Sequence, residues 1–454
     1  MLIGSGRCRR GMERDAAAVL LALIVLAAPL TGCLSSGADG LDGDGGEGGG
    51  GGSLGENGTA GIDAAVELVV WASFALESKE EEAFLDAIEA FEAANPNIDV
   101  EATLIPYTNA AQLYMTAAQG GEAPDLVRLS SDQLGKIGEV RVNGYPLLED
   151  LRPHLTPAER AIYDARALNA MRYGNDLLGL PASQDCLSLI YNKRLFAQRD
   201  IALPDENWTL DDLVAAAEDL TSGDVQGLAM PIKSPYWWFP FQTAFGGSLF
   251  DANGTPTLDA NGSAEAMRWM IGLEKEKGVV AKGTQIESMK TRFMASEAAM
   301  IVDGPWNWAT YEASRLDIGQ TLLPTHPNTG LRASPLVTYK GWSVSESSRQ
   351  KEAAVELALW LSSIEVQRNF ALQTYTMPTA VALYADSNIT DDPVLAGFLA
   401  QAQVATPAPT TRGMSLVYGP LGTAFERTYA DPAEADAALA AANDELVSLI
   451  AGDS

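Results

Sequence analysis

The chain has 454 residues, 47% of them hydrophobic, with 12 Phe, 13 Tyr and 9 Trp spread along it. That is enough for two or three packed domains and excludes a wholly disordered protein. Sixty Asp and Glu stand against 30 Lys and Arg, and the resulting charge of −30 has the wrong sign for a nucleic-acid binder. The acidity belongs on solvated faces and suits a salty medium, where repulsion is screened beyond ~3 Å at 1 M. Cys8 and Cys33 fall in the first segment, so Cys186 is the only thiol of the body, and His154 and His326 are far apart. Neither a disulfide framework nor a Cys/His zinc cluster can be built from these, and no metal or cofactor is expected.

Arg7, Arg9, Arg10 and Arg14 precede an apolar run over residues 16–30. The run is short for a membrane span, which needs ~20 residues, and has the length of a signal-peptide core. It ends in Leu30-Thr31-Gly32-Cys33, which resembles the lipobox of bacterial and archaeal lipoproteins. The resemblance implies a lipoprotein signal peptide over 1–32, lipidation of Cys33, and a protein anchored at the extracellular or periplasmic side of a membrane. Firm anchoring by lipid alone needs two chains or a diether lipid. Residues 33–61, mostly Gly, Asp, Glu and Ser, cannot bury apolar surface and are expected to form a flexible tether. Two motif matches fall in this tether, G-x-G-x-x-G over 43–48 and G-x-S-x-G around Ser53. Both lack the strand and helix that their mechanisms require.

From Ile62 the pattern is α/β. Val66 to Trp71 predicts a strand, and Glu80 to Ala94 a helix with Phe84, Ile88 and Phe91 on one face, stopped by Asn95-Pro96. A strand over Val100–Ile105, a helix over Ala110–Gln119 and a strand over Asp125–Leu129 complete a βαβαβ unit. Leu187–Asn192 is a further strand, and Leu210–Leu220 a helix with Thr209 as its cap. Helices over Ala264–Lys277 and Ser288–Glu297, a strand over Ala298–Val302, and helices over Glu352–Ser363 and Ala433–Ile450 follow. No repeat of solenoid period occurs.

Four segments carry a resemblance. Gly121-Glu122-Ala123-Pro124-Asp125-Leu126-Val127 is similar to a G-x-x-P-D turn into a strand. Gly179-Leu180-Pro181, followed by Leu189-Ile190-Tyr191-Asn192-Lys193, is similar to a crossover with a Tyr-Asn-Lys element. Met300 to Trp308 contains Gly304-Pro305-Trp306-Asn307-Trp308, close to a Gly-Pro-Trp-x-Trp element. Gly341-Trp342 is similar to a glycine-aromatic turn at a hinge. In this order they resemble the family 1 extracellular solute-binding proteins of ABC importers, the maltose-binding-protein-like group. The resemblance implies a two-lobe periplasmic-binding-protein-like α/β fold with discontinuous lobes, hinge strands and a ligand cleft. Lobe 1 would take 62–183 plus 340–385, and lobe 2 184–339 plus 386–454, with the tail leaning back on lobe 1. It implies a monomer without catalytic activity. That monomer would capture a carbohydrate of maltose, trehalose or oligosaccharide type and deliver it to ABC transporter permease subunits, touching the membrane only through its anchor.

A sugar presents flat C–H faces and a rim of hydroxyls, so its site needs rings and carboxylates. By the resemblance, the rings fall on Tyr236, Trp306, Trp342 and Tyr418 and the carboxylates on Asp132 and Asp185, with Gln133 and Gln184 assisting. Each ring has a packing alternative: Tyr236 belongs to the aromatic run Tyr236–Phe241, Trp306 could be core, and a hinge aromatic such as Trp342 could pack the lobes together. Trp308 is read as core. An Asp-Lys pair of the maltose pattern falls here on Ala75 and Leu76, an aromatic on Leu129, an arginine on Gln133 and a glutamate on Ser234. The identity of the sugar is therefore open, with a glycerol-phosphate-type ligand a further alternative. Two other functions remain: an exported sensing receptor reusing the fold, and a glycan hydrolase with Asp132 and Asp185 as a carboxylate pair ~5–9.5 Å apart.

Overall fold

The computed structural model describes residues 65–452, so Cys33, the signal segment and the tether lie outside it. Strand β1 (Val66–Ala72) buries Leu68, Val70 and Ala72 and pairs in parallel with β2 (Ile98–Leu104) and β3 (Leu126–Ser130). The connection from β1 to β2 is the helix Lys79–Ala94. Ser78 caps it by accepting from the Glu81 amide at 3.1 Å, and Glu80, Glu81 and Glu82 place carboxylates at the positive end of its dipole. Its buried face is Ala83, Phe84, Ile88 and Phe91. β3 is buried along its whole length.

Strands β4 (Leu180–Asp185) and β5 (Ser188–Asn192) are separated only by Cys186 and Leu187, both fully buried, yet they belong to different sheets. In the second sheet β5 runs antiparallel to β7 (Ala298–Asp303) and β8 (Ile318–Thr321), and β6 (Gln226–Ala229) lies parallel beyond β7. β9 (Leu336–Val344) returns to the first sheet, antiparallel to both β3 and β4, and β10 (Thr406–Pro407) pairs with its start. Sheet membership thus changes between Asp185 and Ser188, and again between Thr321 and Leu336.

Gly341 and Trp342 do not form a turn. Both lie inside β9, where all nine residues are buried. The glycine is there for clearance: a Cβ would stand 2.5 Å from the Leu180 carbonyl oxygen and 2.6 Å from Met171 Cε, and the ladder to β4 shifts register at this point. A glycine that lets two backbones approach looks, in sequence, like a glycine that lets a backbone turn.

The tail supplies helices Tyr418–Ala430 and Ala435–Ala451, which pack on each other and on helix Ser263–Lys275. The short helix Arg412–Leu416 packs on Ala435–Ala451 and also meets helix Ser131–Gly138 beside the first sheet. A Cβ at Gly135 would stand 2.5 Å from the Thr411 carbonyl carbon, so this contact too depends on a glycine. Among the described residues no helix is long and apolar enough to cross a membrane.

Candidate functional site

The ends of β3, β4 and the middle of β9 converge on one polar cluster. β4 delivers Asp185, which is 7% exposed. Its Oδ1 accepts from Thr338 Oγ1 at 2.9 Å, and its Oδ2 accepts from Lys340 Nζ. Lys340 also donates to Thr338 Oγ1 at 2.8 Å. Thr338 and Lys340 are two residues apart on β9 and so share a face, which aligns both with Asp185. Behind them lies Arg128 of β3, buried, with Nη1 donating to the Ser73 carbonyl at 3.3 Å and its guanidinium 4.0 Å above the Phe74 ring. Glu80, from the first turn of helix Lys79–Ala94, accepts from Thr376 Oγ1 at 3.0 Å. Burial pushes the Glu80 carboxyl up, and Arg128 opposes that shift. Burial also pulls the Arg128 guanidinium down against the charges of Glu80 and Asp185.

Asp132 opens helix Ser131–Gly138 at the end of β3. Its Oδ1 is buried and has no hydrogen-bond partner among the described residues, and the neighbouring Ser130 Oγ is in the same condition. Burial pushes the Asp132 carboxyl up, while the nearby Ser130 hydroxyl, placed short of a proper hydrogen bond, and the Lys340 charge pull it back. The two candidate carboxylates therefore differ: Asp185 is satisfied by its own chain and Asp132 is not. Gln133 accepts from the Ser130 amide at 3.2 Å and donates to the Tyr107 carbonyl at 3.3 Å, tying the loop before helix Ala110–Gly120 to this corner. Gln184 turns away, donating to the Pro378 carbonyl at 2.8 Å and to Tyr384 Oη at 3.1 Å.

The rings come mainly from the second sheet's side. Tyr236 is half-buried at the start of helix Pro235–Ala244, 5.3 Å from Trp237, whose Nε1 donates to the Val302 carbonyl at 2.6 Å and ties that helix to the end of β7. Tyr418, half-buried, lies 6.0 Å from Phe239. Burial pushes the Tyr236 phenol well up, with Asp185, Cys186, Tyr107 and Tyr418 adding to the shift. Burial pushes Tyr418 up as well, reinforced by Asp132. Tyr107, a residue that remains 38% exposed, is raised by burial of its hydroxyl and by Asp132 and Asp185. Asp132, Asp185, Tyr236 and Tyr418 thus act on one another in one region, together with Tyr107 and Lys340.

Trp306 stands on a separate support. Asp303, fully buried at the end of β7, accepts from the Gly304 amide and from Asn307 Nδ2, both at 2.9 Å, and from the Tyr311 hydroxyl. These bonds fix the loop from which half-buried Trp306 folds its ring over Gly304. Asp303 pairs with Ser188 in the ladder, so the loop leaves β7 beside the Cys186-Leu187 crossover. Trp308 is buried, edge-on to Phe398 at 5.8 Å.

Trp342 is packed as core rather than offered to a ligand. It is 2% exposed and stacks on Phe84, with ring centroids 5.4 Å apart and planes 19° apart. Beside it is a cavity of about 20 Å³ lined by Phe74, Phe84, Arg128 and Phe370, room for about one water. Cys186 is buried at the crossover, and burial pushes its thiol far up, which leaves it inert.

Sequence reasoning missed Arg128, Lys340, Thr338, Glu80, Tyr107 and Asp303. A signal existed for the two cations: each is a lone charge in a run otherwise apolar or small, Leu126–Ser130 and Leu336–Val344. A charge in a fully buried strand needs a partner. The partner's identity is a tertiary fact.

Residues 86–397 match the family model of the bacterial extracellular solute-binding proteins. A galactooligosaccharide-binding protein of Bacillus subtilis is 24% identical over 383 residues, 81% of this chain and 86% of its own length. A maltotriose-binding protein of Pyrococcus abyssi is 25% identical over 378 residues, 82% of this chain and 79% of its own. The maltose/maltodextrin-binding domain from Bdellovibrio bacteriovorus bound to maltotriose superposes with a TM-score of 0.76 at 26% identity, covering 85% of this chain and 100% of that one. The Thermus thermophilus maltotriose-binding protein bound with maltotriose gives 0.75 at 26% identity, covering 84% and 100%. The architecture is that of the maltose-binding-protein-like periplasmic binding proteins. By the family model, which covers strands of both sheets, the chain belongs to the bacterial extracellular solute-binding proteins, which bind solutes and do not transform them.

Proposed function

We propose that this chain captures a neutral oligosaccharide of the maltodextrin class in a cleft between its two sheets and delivers it to the permease of an ABC importer. The observation that carries this reading is the orphaned Asp132 carboxylate oxygen, acted on by Lys340 and set against the phenols of Tyr107 and Tyr418. An unpaired buried acceptor is costly, and a ligand hydroxyl satisfies it. The charges support a neutral ligand: Glu80, Asp132 and Asp185 outnumber Arg128 and Lys340, which disfavours a phosphate. We place the lobes at 62–183 plus 340–385 and 184–339 plus 386–454, with the hinges a few residues from those bounds, where the chain changes sheet between Asp185 and Ser188 and between Thr321 and Leu336. Cys33 carries the lipid that holds a monomer at the outer membrane face.

A thermal-shift screen of maltotriose, trehalose, galactooligosaccharides and glycerol 3-phosphate tests the reading. A ligand at 100 times its Kd adds ~2.7 kcal/mol to stability. A shift with maltotriose is expected, and scattering should show compaction, since ligand favours the closed state by its differential affinity. A shift with glycerol 3-phosphate alone overturns the reading.

A further inference from the structure

We propose that Lys340 is a ligand-recognising residue, and that it forms with Asp132 a donor–acceptor pair that reads one sugar hydroxyl beneath the Tyr107 ring. This deepens the sugar-binding reading and rests on it. Three observations carry it.

The first is the placement of the lysine. It is 8% exposed, mid-strand in β9, and its amine spends two bonds on Asp185 and Thr338. An ammonium has three N–H donors, and no third acceptor exists among the described residues. Nζ lies 5.6 Å from the centroid of the Tyr107 ring, so that ring covers the amine. The second is Asp132, whose Oδ1 lacks any donor and which stands two residues beyond Ser130, the residue that Lys340 faces across the ladder between β3 and β9. One unspent donor and one unspent acceptor are thus held in the same corner. A hydroxyl is the group that satisfies both, because it accepts from Lys340 and donates to Asp132 Oδ1. The third is Gln133. It binds the Tyr107 carbonyl and the Ser130 amide, so the ring and the carboxylate are positioned through one side chain.

Fold stability does not explain the lysine. A buried ion pair contributes little over well-packed apolar residues, so Asp185 and Lys340 together are not what β4 and β9 need in order to pair. The geometry also restricts the ligand. A carboxylate or phosphate at this position would meet Lys340 favourably but Asp132 repulsively. A deoxy sugar would leave both groups unpaired.

The test is a double-mutant cycle on the full chain, titrated calorimetrically with maltotriose. Lys340→Met and Asp132→Asn should each weaken binding ~10-fold or more, as loss of a hydrogen bond to a charged group does. The double variant should bind hardly worse than either single one, because both act through one hydroxyl. Lys340→Met strips Asp185 of its cation; if it does not fold, Lys340→Gln replaces it, since its amide still donates to Asp185. A Lys340 variant that binds within twofold of wild type, or losses that simply add, overturns the pair. If wild type itself binds no sugar, the sugar reading fails and the pair fails with it. If wild type binds and the cycle shows no coupling, only the pair fails.

Discussion

Replacing Trp342 by alanine separates core from site. The ring is 2% exposed, and its stack on Phe84 adds about 0.5–1.5 kcal/mol to what burial of its area supplies. Trp→Ala in a core costs ~3–5 kcal/mol, depending on how far the surroundings collapse. Collapse is restricted here. Trp342 sits in β9, laddered to Arg128 on one side and Leu180 on the other, so the backbone cannot move inward. The neighbouring cavity of about 20 Å³ would merge with the space vacated. The upper half of the range is therefore expected. Urea denaturation followed by circular dichroism measures it, and calorimetric titration of maltotriose well below the transition measures binding. Affinity should stay within about threefold of wild type, as the ring faces Phe84 and not the cleft. Trp306→Ala should do the reverse, weakening binding by ~2 kcal/mol or more with a smaller loss of stability. A Trp342→Ala protein that denatures like wild type yet binds ~30-fold more weakly would refute this account.

Asp132→Asn should raise the melting temperature at pH 7 while weakening maltotriose binding. Burial raises the Asp132 carboxyl, so its contribution to stability is full below the ordinary carboxylate range and lost as pH rises through the raised native value. The gap between variant and wild type should close as the pH approaches ~4; a pH-independent gap would mean that ionisation is not its origin. Gly304→Ala should weaken binding several-fold at little cost in stability, because φ −109° and ψ 177° suit alanine and the atoms nearest the added Cβ are those of the Trp306 ring, which must shift. Unchanged affinity would remove that ring from the ligand. Cys33→Ala should leave the protein unprocessed or release it from membranes, read by detergent partitioning; partitioning like wild type would refute lipidation.

The elements that sequence located best are those whose periodicity is intrinsic. Phe84, Ile88 and Phe91 form the buried face of a helix that spans Lys79–Ala94, one residue longer than the pattern indicates. Thr209 caps Leu210–Leu220 through Asp212, as its residue type suggests. β4 and β9 were illegible as strands because both mix polar residues into buried positions. Ser183, Gln184 and Asp185, or Thr338 and Lys340, look like loop in sequence; Asp185, Thr338 and Lys340 are buried because they satisfy one another across the two strands, and Ser183 and Gln184 because they find Arg128, Pro378 and Tyr384. The candidate site shows the same limit. Carboxylates and rings could be named from the chain, but which carboxylate is left unpaired depends on a lysine 155 residues from Asp185.

The polar and aromatic parts of the proposed site lie largely on different sheets, and that division bears on specificity. Glu80, Arg128, Asp132, Asp185 and Lys340 come from the first sheet and its helices, while Tyr236 and Trp306 stand at the end of the second. A purely polar solute would satisfy Asp132 and leave the rings wet; a purely apolar one would cover the rings and leave Asp132 buried without a donor, which costs more than the contact returns. On the proposed reading, only a solute with a hydroxyl edge and a flat apolar face gains from both sides at once, and only such a solute would favour a closed arrangement. The unpaired Asp132 makes the discrimination steeper. Its cost is carried by the free protein, so a ligand that fails to donate recovers none of it. The selectivity proposed for the cleft then follows from where the fold leaves one oxygen without a partner.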